Sequence, residues 1–184
     1  MRKVIAAINI TVDGFCDHTA INPDATIHEH YSDLLRNAGI ILYGRITFEL
    51  MEYWPPFVQH PSGNKAIDEF AIVMDNIPKV VLSHTLKNVK WQTAKLATRD
   101  LKDEVLALRQ QEGNDILVGS RSLIVQLLNL GLVDEFQLCV HPVIAGKGLP
   151  LLDKISNKIE LTLLKTKTFQ CGAMLFYYKP VKKL

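Results

Sequence analysis

Residues 40–49 read Ile40-Ile41-Leu42-Tyr43-Gly44-Arg45-Ile46-Thr47-Phe48-Glu49, an apolar run that ends at a glycine and continues into a helix-like stretch. The same arrangement returns at residues 116–122, which read Ile116-Leu117-Val118-Gly119-Ser120-Arg121-Ser122. A strand that stops at glycine lets backbone N–H groups approach an anion closely, and the following helix points the positive end of its dipole at the same place. Either turn alone is more often an ordinary strand-to-helix connection, so it is their joint presence that predicts a site for a phosphorylated dinucleotide.

Each turn also carries an arginine one or two residues after its glycine, Arg45 in the first turn and Arg121 in the second. A planar guanidinium that is always charged suits a bound phosphate better than a lysine ammonium does. We therefore expect these arginines to contribute to the binding of a phosphorylated ribose.

The composition limits the classes of protein to which the chain can belong. With 184 residues, of which 48% are hydrophobic and 22% charged, it is long enough for one well-buried core, and we predict a single domain over residues 1–184. A net charge of +2 provides no strong field for nucleic acid or an anionic membrane, and the only basic run is a short tail at residues 179–183. No stretch approaches the roughly 20 apolar residues of a membrane-spanning helix. We expect a small-molecule substrate, and neither nucleic acid nor a membrane as a partner.

The cysteines and the amino-terminal residues indicate the cellular compartment in which the protein works. Cys16, Cys139 and Cys171 are odd in number, far apart and without a CxxC spacing, which argues against a disulfide framework and a zinc cluster. The first ten residues contain too short an apolar stretch, and no convincing cleavage site, for a signal sequence. We interpret them as a first core strand and expect the protein to work in a reducing cytoplasm.

Apolar runs and helical periods alternate along most of the chain, which is typical of an α/β sheet with crossover helices. In the last third, no helix of adequate length separates the apolar runs. We therefore expect a mixed sheet whose final two strands form an antiparallel hairpin turned near residues 170–172. The predicted strands cover residues 3–10, 39–43, 79–83, 115–118, 133–140, 159–166 and 173–179.

Four helices are predicted from apolar periodicity, capping residues and terminating glycines. Prolines and a glycine between residues 55 and 63 indicate the longest exposed loop. The first predicted helix begins at residue 25 and is ended by Gly39, and the second begins near residue 66. The third begins after the N-cap Asp100, and the fourth begins at residue 123 and is ended by Gly131.

Other candidate groups leave alternatives open. Asp13, directly after the first strand, either forms a simple turn with Gly14 or hydrogen-bonds a polar substrate at the carboxyl end of the sheet. The loop at residues 143–148 is either a flexible connector or a lid whose two glycines allow close backbone approach. His28 and His30 stand two positions apart on a predicted helix and so face different directions, and we expect no metal site.

Several segments, in order along nearly the whole chain, resemble the dihydrofolate reductase fold, and more closely its branch related to the reductase domain of bacterial riboflavin-biosynthesis deaminase-reductases. Val4-Ile5-Ala6-Ala7 resembles the opening strand of dihydrofolate reductases. Residues 41–49 are similar to a shared GRxTxE element, and residues 116–120 to a VGG phosphate turn. The most specific similarity is to the pattern GLVDE…PVxxGxGxPLF, at residues 131–136 and 142–152.

This resemblance implies a three-layer α/β/α fold around a mixed, mostly parallel sheet with a C-terminal antiparallel hairpin. It also implies an NADPH-dependent reductase, similar to 5-amino-6-(5-phosphoribosylamino)uracil reductase, that acts on a pyrimidine- or pterin-like substrate. It places Ala7 at the nicotinamide carboxamide. It places the remaining contacts at Gly44 and Thr47 for the pyrophosphate, at Arg45 and Ser83 for the 2′-phosphate side, and at Gly119, Ser120 and Arg121 for the rest of the phosphate cradle.

The proton-delivering group is where this sequence differs from dihydrofolate reductases. His28, with Glu29 beside it, stands at the helix position of the acid that binds the pteridine. His28 and Glu29 are therefore candidates for proton delivery, and Asp13 for a polar substrate contact. The alternative is a nucleotide-binding or regulatory module that keeps the fold but has lost reduction. Because the last strands are strongly apolar and an uncovered edge invites self-pairing, we also expect a homodimer.

Overall fold

The computed structural model describes residues 1–181, in which eight strands form one sheet with helices packed on it. Lys182 and Lys183 of the predicted basic tail lie outside the described residues. The strands are β1 (Val4–Thr11), β2 (Ala38–Gly44), β3 (Lys79–Leu82), β4 (Ala94–Leu96), β5 (Asp115–Val118), β6 (Glu135–His141), β7 (Leu161–Thr168) and β8 (Met174–Pro180). The helices are α1 (Ala25–Arg36), α2 (Arg45–Met51), α3 (Pro55–Gln59), α4 (Lys65–Asn76), α5 (Leu101–Arg109) and α6 (Arg121–Asn129).

The strands lie in the order β4-β3-β2-β5-β1-β6-β8-β7. Strands β1 to β6 are parallel to their neighbours among themselves, whereas β8 is antiparallel to both β6 and β7. A turn at residues 170–172 joins β7 to β8, where the sequence predicts it. The predicted fold class, a mixed and mostly parallel sheet with a C-terminal antiparallel hairpin, is confirmed.

The central strand β1 divides the core into two layers, because alternate side chains of a strand point to opposite faces. Val4 and Ala6 pack in one buried cluster with residues of α5 and α6. Ala7 packs on the other face, in a second cluster with residues of α1, α2 and α4. The result is the three-layer α/β/α arrangement, with the carboxyl ends of six parallel strands along one edge.

Capping chemistry fixes where the helices begin and end. The Asp24 carboxylate accepts a hydrogen bond of 3.0 Å from the N–H of Ile27 at the start of α1. Asp100 does the same for Asp103 at 2.9 Å, as the sequence predicts for the start of α5. Gly131 follows α6 with a φ of +66°, a left-handed conformation that a glycine adopts without strain.

Three local expectations are wrong, each for a local reason. Gly39 does not end a helix but lies inside β2, where a Cβ would come within 2.7 Å of the Arg2 guanidinium and 2.9 Å of the Asn114 carbonyl oxygen. Part of the expected loop after residue 54 is helix α3, because Pro55 at its first turn lacks an N–H that would otherwise be unpaired. Strand β4 has only three residues, too few for periodicity to detect.

Lys79, the first residue of β3, is a buried ammonium that ties together the loops at the amino-terminal edge of the sheet. Its Nζ donates to the carbonyl oxygens of Asp75 at 3.2 Å and Ile77 at 2.8 Å, and to Thr93 Oγ1 at 2.8 Å. It also lies 4.0 Å from the ring centroid of Trp91. Only 1% of Lys79 is exposed, and this burial lowers the pKa of its ammonium from 10.5 to about 8. The charged form is thus held by carbonyl dipoles and an aromatic face without full hydration.

This depressed pKa makes stability depend on pH. Between about pH 8 and pH 10.5 the unfolded chain keeps the proton that Lys79 has released in the fold, so the free energy of unfolding rises with pH. We expect the wild-type protein to gain at most about 3 kcal/mol relative to Lys79→Met across this window, measured by chemical denaturation. Lys95→Met, at an exposed lysine on the neighbouring β4, is the control. Parallel pH profiles for wild type and Lys79→Met would contradict the assignment.

Candidate functional site

The two glycine turns lie side by side at the carboxyl edge of the sheet. Strands β2 and β5 are parallel neighbours, with Leu42 paired to Val118, so the next residues of both strands leave the sheet at the same level. The N–H of Gly44 donates a hydrogen bond of 2.9 Å to Ser120 Oγ. The starts of α2 and α6 therefore open into one shared space.

Gly119 is the more crowded of the two turn glycines, and neither glycine has a positive φ. A Cβ on Gly119 would come within 3.3 Å of the Tyr43 ring, and one on Gly44 within 3.4 Å of Ser122 Oγ. No side chain caps the start of α2 or of α6. The first N–H groups of each helix have no acceptor within the helix, so an anion in the shared space would meet unpaired donors. This geometry fits a diphosphate.

The residues predicted for the 2′-phosphate side stand at neighbouring strand ends. Gly44 is paired in register with Leu82, so Arg45 and Ser83 follow directly from adjacent strands. The Arg45 guanidinium is 42% exposed and forms an ion pair of 2.9 Å with Glu49 on the same helix. Ser83 Oγ accepts hydrogen bonds from two N–H groups of the following turn, and it lies 3.4 Å from Thr85 Oγ1.

Other predicted contacts flank the glycine turns. Ala7 on β1 is buried and follows Ala6, which is paired with Val118, so it lies level with Gly119 one strand away. Thr47 is a half-buried residue in the first turn of α2. Their positions suit an extended ligand that crosses from β2 to β1 along the strand ends.

Arg121 has partners that the sequence does not reveal. Its Nε donates to the Pro150 carbonyl oxygen at 2.6 Å, and its guanidinium forms an ion pair with Asp153. The side chain is 14% exposed and ties α6 to the loop after β6. In this structure the Arg121 guanidinium thus binds groups of that loop, and its part in binding phosphate stays a prediction.

Asp13 holds the glycine loop in place with its carboxylate. Oδ1 accepts from the N–H of Ala145 at 3.1 Å, and Oδ2 accepts from the N–H of Gly146 at 2.7 Å. Thr11 Oγ1 donates to the same carboxylate at 2.5 Å, and this bond is the main cause of a lowered pKa at Asp13. Two backbone N–H groups of the 143–148 loop are thus bonded to Asp13 in this structure, and the role of the loop as a lid stays a prediction.

The proton-delivery candidates His28 and Glu29 meet different surroundings. The Nδ1 atom of His28 lies 3.0 Å from the Asp24 carbonyl oxygen, and its ring packs edge-on against Trp54 and Phe70. Glu29 is exposed and lines the charged groove between α1 and α4. The structure does not bring the two side chains to one point, and only His28 belongs to an aromatic cluster.

Sequence reasoning missed a polar group on the sheet face beneath α1. Asn9 on β1 and Gln137 and His141 on β6 occupy positions of the same face as Ala7. Asn9 Oδ1 lies 2.9 Å from His141 Nε2, and burial lowers the pKa of His141. The sequence does carry a signal for this group, because its polar residues stand at core positions of two otherwise apolar strands.

Among residues 1–181, neither a reactive thiol at Cys16 or Cys139 nor a metal centre has support. Burial raises the pKa of Cys16 to about 11 and that of Cys139 to about 12, so both stay protonated at neutral pH. These residues also contain no group of three or more His, Cys, Asp or Glu side chains placed to hold a metal ion.

A mixed, mostly parallel sheet between two helical layers defines an α/β protein with a dihydrofolate reductase-like fold. The chain belongs to the RibD C-terminal domain family, which matches its residues 2–175. It is 34% identical over 185 residues to the uncharacterized protein YyaP of Bacillus subtilis (strain 168), covering 96% of this chain and 94% of YyaP.

Solved structures share this fold at low sequence identity. A candidate riboflavin biosynthesis protein from Shewanella sp. PV-4 is 18% identical, with a TM-score of 0.73 over 99% of this chain and 100% of the other. A diaminohydroxyphosphoribosylaminopyrimidine deaminase/5-amino-6-(5-phosphoribosylamino)uracil reductase from Thermotoga maritima is 15% identical, with a TM-score of 0.67. The match covers 98% of this chain and 57% of the Thermotoga protein. These likenesses show the fold.

The contact between Asp13 and the glycine loop is open to a direct test. Asp13→Asn retains the shape of the side chain but removes the charge that both loop N–H groups face, so amide hydrogen exchange at Ala145 and Gly146 should accelerate. Asp17→Asn is the control, because Asp17 bonds only locally, to Thr19 and Ala20. Unchanged exchange in the Asp13 variant would show that the loop is held by other contacts.

Proposed function

We propose that this protein is an NADPH-dependent reductase of the riboflavin-biosynthesis type, similar to 5-amino-6-(5-phosphoribosylamino)uracil reductase, and that it reduces a pyrimidine- or pterin-like heterocycle. The observation that supports this most is the pairing of two uncapped helix starts behind Gly44 and Ser120. A solved relative of the same fold is named as such a reductase.

We propose that successive parts of NADPH contact successive residues along the strand ends. The N–H groups at the starts of α2 and α6, with Thr47 and Ser120, would hold the pyrophosphate. Arg45 and Ser83, at adjacent strand ends, would meet the 2′-phosphate after Arg45 leaves Glu49. Ala7, level with Gly119, would lie against the nicotinamide. Arg121 would act on this site through the loop that it anchors.

The residues of the chain would orient the reacting rings and exclude water from them. NADPH, when bound, provides the hydride. Asp13 fixes the 143–148 loop at the carboxyl end of β1, where a cover excludes water from the reacting rings. The His28 ring, held at Nδ1 near the Asp24 carbonyl oxygen, keeps its Nε2 as the atom that would hold or deliver a proton. Glu29, exposed on the outer groove, would act at most on the charge around α1.

A nucleotide-binding or regulatory module on the same fold is the second candidate. The packing of His28 against Trp54 and Phe70 favours it, because an aromatic cage gives this ring a structural role without catalysis. In that case NADPH would bind without any turnover.

We also propose a single domain that works in the cytoplasm. All three cysteines are free thiols, which suits a reducing compartment. In the part of the chain that the structure describes, no helix has the length and hydropathy of a membrane span.

Cofactor binding tests the proposal through Arg45. Arg45→Ala should weaken NADPH binding by about tenfold or more and leave NADH binding nearly unchanged, because only NADPH carries the 2′-phosphate. Dissociation constants from quenching of tryptophan fluorescence measure this effect. Arg36→Ala is the matched control, since Arg36 is an exposed arginine on α1 paired with Asp33 and Glu69. A wild-type protein that NADPH neither quenches nor stabilises would refute the proposal, and equal losses for both cofactors would refute the role of Arg45.

We propose that a second copy of this chain covers β7, the last strand of the sheet beyond β8. Every residue of β7 is exposed, and Leu161, Leu163 and Leu164 are 39%, 51% and 52% exposed. Among the described residues, one side of β7 has no neighbouring strand. The three exposed leucines in the first half of the strand favour burial against an identical strand, whereas Lys165 and Lys167 in its second half remain at the solvent side.

Light scattering checks the homodimer. Wild type should have twice the mass of the chain, and Leu163→Lys should have the monomer mass at micromolar concentration because a buried, unpaired ammonium opposes association. Leu106→Lys, at a leucine on α5 that is 39% exposed, is the control and should remain dimeric. A monomeric wild-type protein would contradict this arrangement.

A further inference from the structure

Positive charge is concentrated in one continuous stretch of the chain, residues 77–99. This stretch contains no aspartate or glutamate, although the whole chain carries 19 of them against 21 lysines and arginines. Lys79, the first cation of the stretch, is buried, whereas the other cations are exposed. The net charge of +2 therefore conceals a strongly basic segment. Its exposed cations are Arg99 and the three residues Lys87, Lys90 and Lys95, the edge lysines.

The sheet places this basic stretch at one end of the row of strand ends that is proposed to bind the cofactor. Both β3 and β4 belong to the stretch, and they are the last two strands on the side of β2. In register, Val81 lies beside Leu96, so the two parallel strands end at the same carboxyl edge of the sheet. The next strand along this edge is β2, which Arg45 follows directly. The basic stretch therefore flanks the position proposed for the 2′-phosphate.

The acids that flank this stretch in the sequence are bonded within the protein. Asp75 Oδ1 accepts from Trp91 Nε1 at 2.6 Å, and the Asp100 carboxylate accepts from an N–H in the first turn of α5. Glu104 lies 3.5 Å from Arg99 and partly neutralises its charge. The edge lysines, by contrast, form no ion pair within residues 1–181. Their positive field therefore extends from β3 and β4 into the solvent.

Charge of the opposite sign lies further along the same edge. Residues 4–35 form β1, the loop after it and most of α1, and they contain five aspartates and glutamates but no lysine or arginine. Strand β1 is separated from β2 by β5, so the two glycine turns lie between the basic and the acidic ends. NADPH has a matching asymmetry, because its adenosine end carries the 2′-phosphate and its reduced nicotinamide is uncharged.

We propose that the edge lysines guide NADPH onto the protein by its phosphorylated adenosine end, and that they raise the rate of association without contacting the bound cofactor. This inference rests on the proposed reductase function. It adds the route by which the cofactor arrives: the 2′-phosphate end is captured beside β3 and β4, and the nicotinamide then comes to lie at β1. A basic surface raises the association rate of an anionic ligand by roughly tenfold or more at low salt.

Stopped-flow quenching of tryptophan fluorescence measures this effect directly. Lys87→Gln/Lys90→Gln/Lys95→Gln should associate with NADPH about fivefold more slowly than wild type at an ionic strength of about 0.02 M. The dissociation rate should stay within about twofold, because the edge lysines do not touch the bound cofactor. At about 0.5 M salt the two association rates should agree, since the Debye length is then below about 5 Å.

Matched variants separate the position of the charge from its amount. Lys158→Gln/Lys165→Gln/Lys167→Gln removes the same charge at the β7 end of the sheet, and its association rate should stay within about twofold of wild type. Arginine at all three edge-lysine positions keeps the charge and should retain the rate and the salt dependence of wild type. NADH, which lacks the 2′-phosphate, should associate with wild type with a weaker dependence on salt.

The outcomes distinguish this inference from the proposed function. If NADPH binds and both glutamine triples slow association equally, net charge alone sets the rate, so the guiding role is refuted while the reductase proposal stands. If the edge-lysine triple changes dissociation and not association, the lysines contact the bound cofactor and the guiding role is equally refuted. If NADPH does not bind to wild type, the reductase proposal falls and this inference falls with it. Melting temperatures check the fold, and the three single glutamine variants, each slower than wild type by a smaller factor, replace the triple if it does not fold.

Discussion

The hydrogen bond from the Gly44 N–H to the Ser120 hydroxyl joins the two strand-to-helix turns, and the geometry of the ligand edge depends on it. Both residues are buried, and the donor and acceptor are 2.9 Å apart. Parallel pairing of β2 with β5 brings the turns level, and this bond adds a direct link between the helix starts. A serine oxygen accepts one hydrogen bond and still donates another, so Ser120 keeps a hydrogen as a donor while it holds Gly44. The bond uses the N–H at the N-cap of α2 and leaves those of the first turn of the helix.

Most of the fold follows from the sequence because its elements are long and regular. The apolar runs of β1, β2 and β6 and the capping residue Asp100 agree with the structure to within one or two residues. The missed elements are those whose causes are not periodic. Strand β4 forms because β3 offers it an edge, and α3 forms because two prolines begin a turn that the chain then completes. The sequence predicts Gly39 as the end of a helix, because the Arg2 and Asn114 groups that crowd it in β2 come from distant parts of the chain.

For the candidate site, the sequence predicts residues at strand ends, and the partners of their side chains come only from the structure. The sequence places charged and glycine residues at strand ends, and the sheet brings Gly44, Ser83 and Gly119 to neighbouring ends. The position of a residue in the sequence does not show which polar group its side chain binds in the fold. Asp13 and Arg121 both stand at the carboxyl edge of the sheet, and both are bonded to the segment after β6, at Ala145 and Gly146 and at Pro150. Their charge holds this segment in place, a role that becomes visible only when segments 132 or 29 residues apart are seen in contact.

The polar face beneath α1 carries a cost in folding stability. A leucine at position 137 would bury apolar area without an orphan acceptor, and an isolated buried acceptor costs about 1–3 kcal/mol. Gln137 Nε2 donates to Glu135, whereas Gln137 Oε1 has no hydrogen-bond partner among the described residues. The neighbouring amide of Asn9 is oriented by its hydrogen bond to His141, so the two amides of this face differ in how completely they are satisfied. Polar side chains at core positions of β1 and β6 therefore lower the stability that aliphatic side chains would provide there.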